Sequence, residues 1–420
     1  MGYHTWQQSI QASTEFDRYL SFIAQSGFAQ NGIAQGGGRP SSSTTYQTTA
    51  PPPTGKDEKD DTVGSDTVGS NFTNQVRDFL VDCPTIYAKT KGQDPNPGPK
   101  FVVEVDQAPT KHPFYISLHD SRFDQVRWFI YSHKRYYEFK LEVVWAEILQ
   151  HAPSHARILD VGGNIGYFSM LSASMGTSFH IDTFEPNPLN LLRACESLDK
   201  NQWGNEFATT TTNDNIHSTL DRSTVNFWQL GVSDTAGTMH FLPDNNPGAG
   251  RIVNETRSGE RPTTTVLVTT LDDFARARGW IRSSSSSSPT NTEAVRIEIM
   301  KIDVESHESN VLLGARQLLH QGIIRHILME YTIRGADRTF QSQALQVLLD
   351  AGYTLCGLGN YRGPKLNNVP FDTHDRPHFI DNFLADMRKR NQQALNLWWQ
   401  IDPACKRGSG IKPDTEWDPK

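Results

Sequence analysis

The sequence predicts a doubly wound α/β domain with a mostly parallel sheet, preceded by an N-terminal α+β annex and interrupted by a β insertion. Three observations predict it. An apolar run, Ala156 to Leu159, ends in the glycine-rich turn Asp160-Val161-Gly162-Gly163-Asn164-Ile165-Gly166 and leads into a helix-forming segment. Beyond it, short apolar strands alternate with segments of helical periodicity, the pattern of a parallel sheet covered on both faces. One of the later strands ends in a cluster of charges, Lys301 to Glu308, at the edge where open α/β sheets place their ligands.

Along the chain, residues 31–70 are rich in Gly, Ser, Thr and Pro and carry a tandem Asp-Thr-Val-Gly-Ser, so residues 1–70 read as largely disordered. The annex, 71–150, opens on Phe72, Val76, Phe79 and Leu80 at helical spacing. Phe101 to Val105, Pro113 to Leu118 and Gln125 to Tyr131 read as strands, and Tyr137 to Gln150 as a helix. The main domain spans 151–402. Its strands are read at Arg157 to Val161, Ser178 to Glu185, Val225 to Val232, Arg296 to Asp303, Ile324 to Glu330, Tyr353 to Gly357 and Phe379 to Ala385. Helices are expected at 307–319 and 338–351, and the insertion at 237–270 holds candidate strands Thr238 to Leu242 and Thr264 to Thr269. The run Ser283 to Ser288 reads as a surface loop and 403–420 as a flexible tail.

A formal charge of −7 without a basic tract argues against a nucleic-acid partner. Cys83, Cys195, Cys356 and Cys405 are widely spaced, and this predicts neither structural zinc nor a disulfide framework. No run reaches the roughly 18–20 apolar residues that span a bilayer, and residues 1–30 lack the apolar stretch of a signal peptide. Trp6 stands where a myristoylation motif needs Ser or Thr. The expectation is a cytoplasmic chain with no membrane contact, in which the sequons at Asn71 and Asn254 are chance occurrences.

The turn selects the ligand. A dinucleotide site wants G-x-G-x-x-G, whereas here Asp160 precedes Gly162, Gly163 and Gly166, and a carboxylate there would repel a pyrophosphate. The pattern suits S-adenosylmethionine. Nineteen positions after Gly166, Glu185 ends the second strand, where an ionised carboxylate can accept both hydroxyls of a ribose.

With Glu185-Pro186, Thr270-Leu271-Asp272, Lys301-Ile302-Asp303-Val304-Glu305-Ser306-His307-Glu308 and Glu330 in the same order, the chain resembles the FkbM-type methyltransferase family over about residues 157–331. The resemblance implies a class I, Rossmann-like fold, S-adenosylmethionine as methyl donor, and transfer to a hydroxyl of a sugar, glycan or secondary metabolite. The acceptor partner is thus a small molecule or glycan. Two positions depart from the family pattern. Gly163 replaces the usual Ala, a change expected to be sterically harmless, and Ser306 replaces a Gly, which strains the chain if φ is positive there.

Asp160, Gly162, Gly163, Asn164, Gly166 and Glu185 are the expected cofactor residues, with Asp234 as an adenine contact. For Asn164 a helix cap is an equal alternative. Asp303, Glu305 and His307 are the expected catalytic residues, His307 as a base because its reference pKa suits proton removal. No metal ligand set is expected. A nicotinamide-dependent oxidoreductase and a catalytically silent binding module remain the alternative readings.

Overall fold

The computed structural model describes residues 76–91, 101–119, 124–176, 178–203, 223–244, 246–253, 263–281, 295–332, 338–358, 380, 383–385 and 394–401. All lie in one compact unit, Gly64–Lys420. The expectations for residues 1–70, the serine run, both sequons and the tail fall outside the described residues.

After a 3₁₀ turn at Val76–Phe79, the annex comprises helix α1 (Cys83–Thr90), the antiparallel pair β1 (Val102–Val105) and β2 (Phe114–Ser117), and helices α2 (Gln125–His133) and α3 (Phe139–Gln150). The segment read as a strand at Gln125 to Tyr131 is helix α2. Asp124 caps it by accepting from Arg127 N at 3.0 Å, and Lys134 ends it in the left-handed region. Buried Val126 and Ile130 are four residues apart while Tyr131 is 58% exposed, so the period is helical despite the β-favouring residue types.

The main domain follows as β3 (Arg157–Val161), α4 (Tyr167–Ala173), β4 (His180–Phe184), α5 (Pro188–Asn201) and β5 (Thr224–Trp228). The four strands of the insertion are β6 (Gly231–Val232), β7 (Gly237–Leu242), β8 (Arg251–Val253) and β9 (Thr264–Thr269). Then come α6 (Leu271–Ala277), β10 (Ile297–Ile302), α7 (Glu308–Leu313), α8 (Arg316–His320), β11 (Ile324–Thr332), α9 (Arg338–Asp350), β12 (Tyr353–Leu358) and β13 (Ala394–Ile401).

Seven strands form the main sheet in the order β12-β13-β11-β10-β3-β4-β5. The run from β11 to β5 is parallel, and β13 enters antiparallel between β11 and β12. The fold class expected from the sequence is therefore present. Two strands differ. Val225 to Val232 breaks after Trp228, its last residues joining the separate insertion sheet β6-β9-β7-β8. The closing strand is β13 rather than Phe379 to Ala385, where the described residues Ile380 and 383–385 are helical. Leu395, Leu397 and Trp399 bury one face of β13, so the Trp398-Trp399 pair is core packing. The helix read at 307–319 is also two, broken at Gly314 and Ala315 between α7 and α8.

The cysteine expectation is corrected as well. Cys83 at the start of α1 and Cys195 within α5 form a disulfide across 112 positions, and Cys356 is disulfide-bonded too. Wide spacing in sequence hid a pair that the fold brings together. Among the described residues, no helix is long and apolar enough to cross a membrane.

Candidate functional site

The chain runs from β3 outward through β4 and β5, then crosses back to β10 and β11 on the other side. The ends of β3 and β10 thus bound a topological switch point, where a crevice opens at the strands' carboxyl ends. A small cavity, open to solvent, lies there, lined by the glycine turn, the end of β4, residues 230–232, the insertion and Asp303 to Glu305.

The turn is shaped by close contacts. Gly162 has φ +82°, and a Cβ there would lie 1.9 Å from the carbonyl oxygen of Asp303, so this glycine lets the turn rest on the end of β10. Gly163 is not a harmless replacement for Ala. Its Cβ would fall 2.1 Å from Cγ2 of Thr183, a residue fully buried in β4 with its hydroxyl bound to Ser169 at 2.6 Å. Gly166 starts α4 at φ 84° without a side-chain cap.

Glu185 lines the cavity and also secures the turn. Oε2 accepts from Asn164 N and Oε1 from Asn187 N, each at 2.8 Å. Burial pushes its carboxyl up to about 7 against the pull of those N–H groups. Asn164, at φ 50°, lines the same cavity and leaves a buried Oδ1 without a hydrogen-bond partner. It does not cap α4, which removes the cap alternative.

Asp160 lies beneath the turn and outside the cavity lining. Its Oδ2 accepts from Ser169 Oγ at 2.8 Å, its Oδ1 is unpartnered, and its pKa is raised by burial against the pull of Lys301. Lys301, next to last in β10, is buried, with Nζ 2.7 Å from Asp303 Oδ2. Burial alone would discharge this ammonium, but Asp303 and Asp160 raise its pKa and hold it as a cation.

Asp303 and Glu305 both line the cavity, as the sequence suggested. Burial and the charge of Asp303 push Glu305 up to about 7. The backbone turns sharply here. Glu305 has φ 53° and Ser306 φ 81°, so the position where the family pattern has Gly does demand a left-handed conformation. Ser306 N then donates to Glu308 Oε1 at 2.9 Å.

His307 and Asp234 do not join this group. The His307 ring is buried against Ser233, with Nε2 2.9 Å from Oγ, and desolvation lowers its pKa to about 4. It lies outside the lining of the cavity, so the fold does not bring it together with Asp303 and Glu305. Asp234 accepts from Ser233 Oγ and Asn310 Nδ2, and the backbone beside the cavity is that of Leu230, Gly231 and Val232 instead. Thr270 and Asp272 are structural: Thr270 caps α6, and Asp272 accepts from Gln317 N and Leu318 N at the start of α8.

Sequence reasoning missed the insertion and α5: Phe241 and Arg251 line the cavity, and Asn190 supports Glu185. In the annex, within the run of aromatic and charged residues from Lys134 to Glu138, Glu138 lies within the electrostatic reach of Asp303 and Lys301. Only Asn190, one helical turn into the helix after Glu185, carried a local signal. Among the described residues, no group of three His, Cys, Asp or Glu could hold a metal ion.

The residues present fit S-adenosylmethionine. Glu185 would hold the ribose hydroxyls, the orphaned amide oxygen of Asn164 would meet the amino-acid end, and the 230–232 backbone would flank the adenine.

Residues 160–355 match the family model of the methyltransferase FkbM domain. No curated protein matches the chain significantly. Among solved structures, the chain is similar to a putative SAM-dependent methyltransferase from Streptococcus mutans (10% identity, 69% of this chain and 53% of that one, TM-score 0.31). It is also similar to a putative methyltransferase complexed with SAH (10% identity, 72% and 56%, TM-score 0.32). A third is a SAM-dependent methyltransferase from Agrobacterium tumefaciens (9% identity, 74% and 72%, TM-score 0.33). The chain spans little more than half the length of the first two.

Proposed function

Residues 160–355 form an S-adenosylmethionine-dependent FkbM methyltransferase domain, and on that premise we propose that the chain methylates a hydroxyl oxygen of a sugar, glycan or secondary metabolite. The observation that carries this reading is the set of carboxylates at the end of β10, Asp303 and Glu305, facing the cavity that Glu185 and the glycine turn enclose. Carboxylates accept hydrogen bonds from hydroxyls and so orient them for attack.

When bound, S-adenosylmethionine supplies a methyl carbon already activated by a sulfonium. The chain's own work is then alignment and deprotonation of the acceptor. Glu185 would hold the donor by its ribose hydroxyls. Lys301 neutralises Asp160 and Asp303, which lets carboxylates crowd this edge without mutual ejection. Asp303, tied to Lys301, is suited to orienting the acceptor.

Compartment belongs to the same proposal. Disulfides persist in oxidising surroundings, and the Cys83–Cys195 bond favours such a compartment over the cytoplasm expected from the sequence. Peptide mapping of native, unreduced protein tests this, since free thiols at both positions would restore the cytoplasmic reading.

Titration calorimetry with S-adenosylmethionine and with NAD tests the donor, and NAD binding alone would sink the proposal. Glu185→Gln should weaken S-adenosylmethionine binding more than tenfold, about 2 kcal/mol for lost charge-assisted bonds. Incubation with methyl-labelled S-adenosylmethionine and source-cell extract identifies the acceptor. Label found on nitrogen or sulfur would refute O-methylation.

A further inference from the structure

We propose that Glu138, presented by the annex, is the group that takes the proton from the acceptor hydroxyl. This rests on the O-methyl transfer proposed above. Glu138 occupies the N-cap position of α3, where a side-chain oxygen ordinarily accepts from the first turn of the helix; here it makes no such bond. The carboxylate is turned toward the main sheet instead. Oε1 accepts from Asn396 Nδ2 of β13, 2.6 Å away across 258 positions of sequence, while Oε2 is buried with no hydrogen-bond partner.

The groups facing it come from every element around the catalytic edge. They are Asp303 and Lys301 of β10, Glu330 of β11, Asn396 of β13, and Tyr136 and Tyr137 of the segment before α3. The other acids of this edge are committed elsewhere. Asp303 pairs with Lys301, both oxygens of Glu185 hold backbone N–H groups, and Glu308 accepts from Ser306 N and Thr332 N. Burial and the neighbouring acids Asp303, Glu138, Glu305 and Glu308 push the carboxyl of Glu330 far upward, which favours its protonated form. Glu305 faces Arg251 and Asp244 of the insertion, on the cofactor side.

Glu138 is outside the lining of the cofactor cavity, with one oxygen held by Asn396 and the other buried and unpartnered. Burial and the nearby Asp303 push its carboxyl up to about 7, where a base combines availability with proton affinity. Tyr137 adjoins it in the chain. The residue is 37% exposed, while burial of its hydroxyl and the charges of Glu138, Glu330 and Asp303 raise the pKa of that group.

In the step, the hydroxyl oxygen forms the bond to the methyl carbon, and the electron pair of the broken C–S bond returns to sulfur. The hydroxyl proton passes to Oε2 of Glu138 and from there to water.

The test uses the full chain and has two readouts. Infrared difference spectra of wild type minus Glu138→Gln, which require no acceptor, should show a protonated-carboxyl band that disappears around pH 7. Transfer of label from S-adenosylmethionine to a mixture of methyl glycosides and source-cell extract should fall about 10²- to 10⁴-fold in Glu138→Gln. The acid limb of the wild-type pH profile should vanish, while S-adenosylmethionine affinity stays within threefold. Absence of the band, or Glu138→Gln turnover within threefold of wild type with the same acid limb, overturns the proposal. A wild type that does not bind S-adenosylmethionine overturns the underlying reading instead, and the two failures are distinct.

Discussion

At the scale of single residues, the two departures from the family pattern prove to be structural opposites. Gly163 is fitted to its surroundings, because Thr183 occupies the space an Ala methyl would need. Gly163→Ala should destabilise the protein by about 1–3 kcal/mol through overpacking. Adding Thr183→Ser, which removes Cγ2 and keeps the hydroxyl for Ser169, should restore most of that loss in a urea titration. Failure of the double variant to recover would refute the contact. Ser306 is the reverse, a side chain held at φ 81° where Gly is at ease. Ser306→Gly should raise stability by about 0.5–1 kcal/mol, the relieved strain exceeding the entropy Gly adds to the unfolded chain. An unchanged or lower urea midpoint would show that the serine is not strained. The sequence revealed the question at Ser306 because a left-handed position is legible from a missing glycine. It misjudged Gly163 because the opposing methyl comes from another strand.

At the scale of elements, the segment before β1 acts as a strap on the free edge of the sheet. Gln229 N donates to Phe79 O, Val81 N donates to Phe227 O, and Leu80 bridges Trp228, so the strap borders β5. The Cys83–Cys195 disulfide and the hydrogen bond from the Tyr87 hydroxyl to Asp199 fasten α1 onto α5. Cys83→Ser should therefore cost about 3 kcal/mol, chiefly by freeing the unfolded chain, and reduction of the wild type should have a similar effect. Equal urea midpoints with and without reductant would mean that the bond does not form. The same scale explains what was legible. The parallel strands β3, β4, β10 and β11 were readable because each is a short apolar run that meets a turn or a charged end. α2 was misread because Trp128, Phe129, Ile130 and Tyr131 favour strands by type, and only the Asp124 cap and the Val126–Ile130 spacing disclose the helix. β13 was missed because its pairing with β11 and β12 is long-range. The donor half of the site, a turn and a strand end 21 positions apart, was local enough to read. The pairing of Glu138 with Asn396 was not, since those residues meet only through the sheet.

At the scale of the whole molecule, the catalytic edge stores carboxyl groups that the fold prefers to keep protonated, and this makes stability depend on pH in a definite direction. Burial raises Glu138, Glu142, Glu185 and Glu305 to about 7 and Glu308 to about 8, above the ordinary value near 4.5. Between those limits the folded chain binds more protons than the unfolded one, so stability falls as pH rises through the window, and Glu330, raised to about 10, carries the decline further. The two buried histidines act oppositely. His307 and His326 are lowered to about 4 and about 3, so their contribution is intact above 6.5 and is lost as pH falls below it. From pH 6.5 to 8.5 the two histidines oppose the decline only at its lower end, where the unfolded chain still protonates them in part, and the more numerous carboxyl groups outweigh them. The melting temperature of the ligand-free protein should drop by several degrees across that interval. A cation in a cavity lined by Glu185 and Glu305 favours their ionised forms and should flatten the decline. S-adenosylmethionine, with its sulfonium charge, should flatten it more than S-adenosylhomocysteine, whose sulfur is neutral. Scanning calorimetry at saturating concentrations of each ligand checks this. A melting temperature that is flat or rises between pH 6.5 and 8.5 without ligand would show that these acids are already ionised in the fold, and equal curves for the two ligands would show that the carboxylates do not sense the methyl donor's charge.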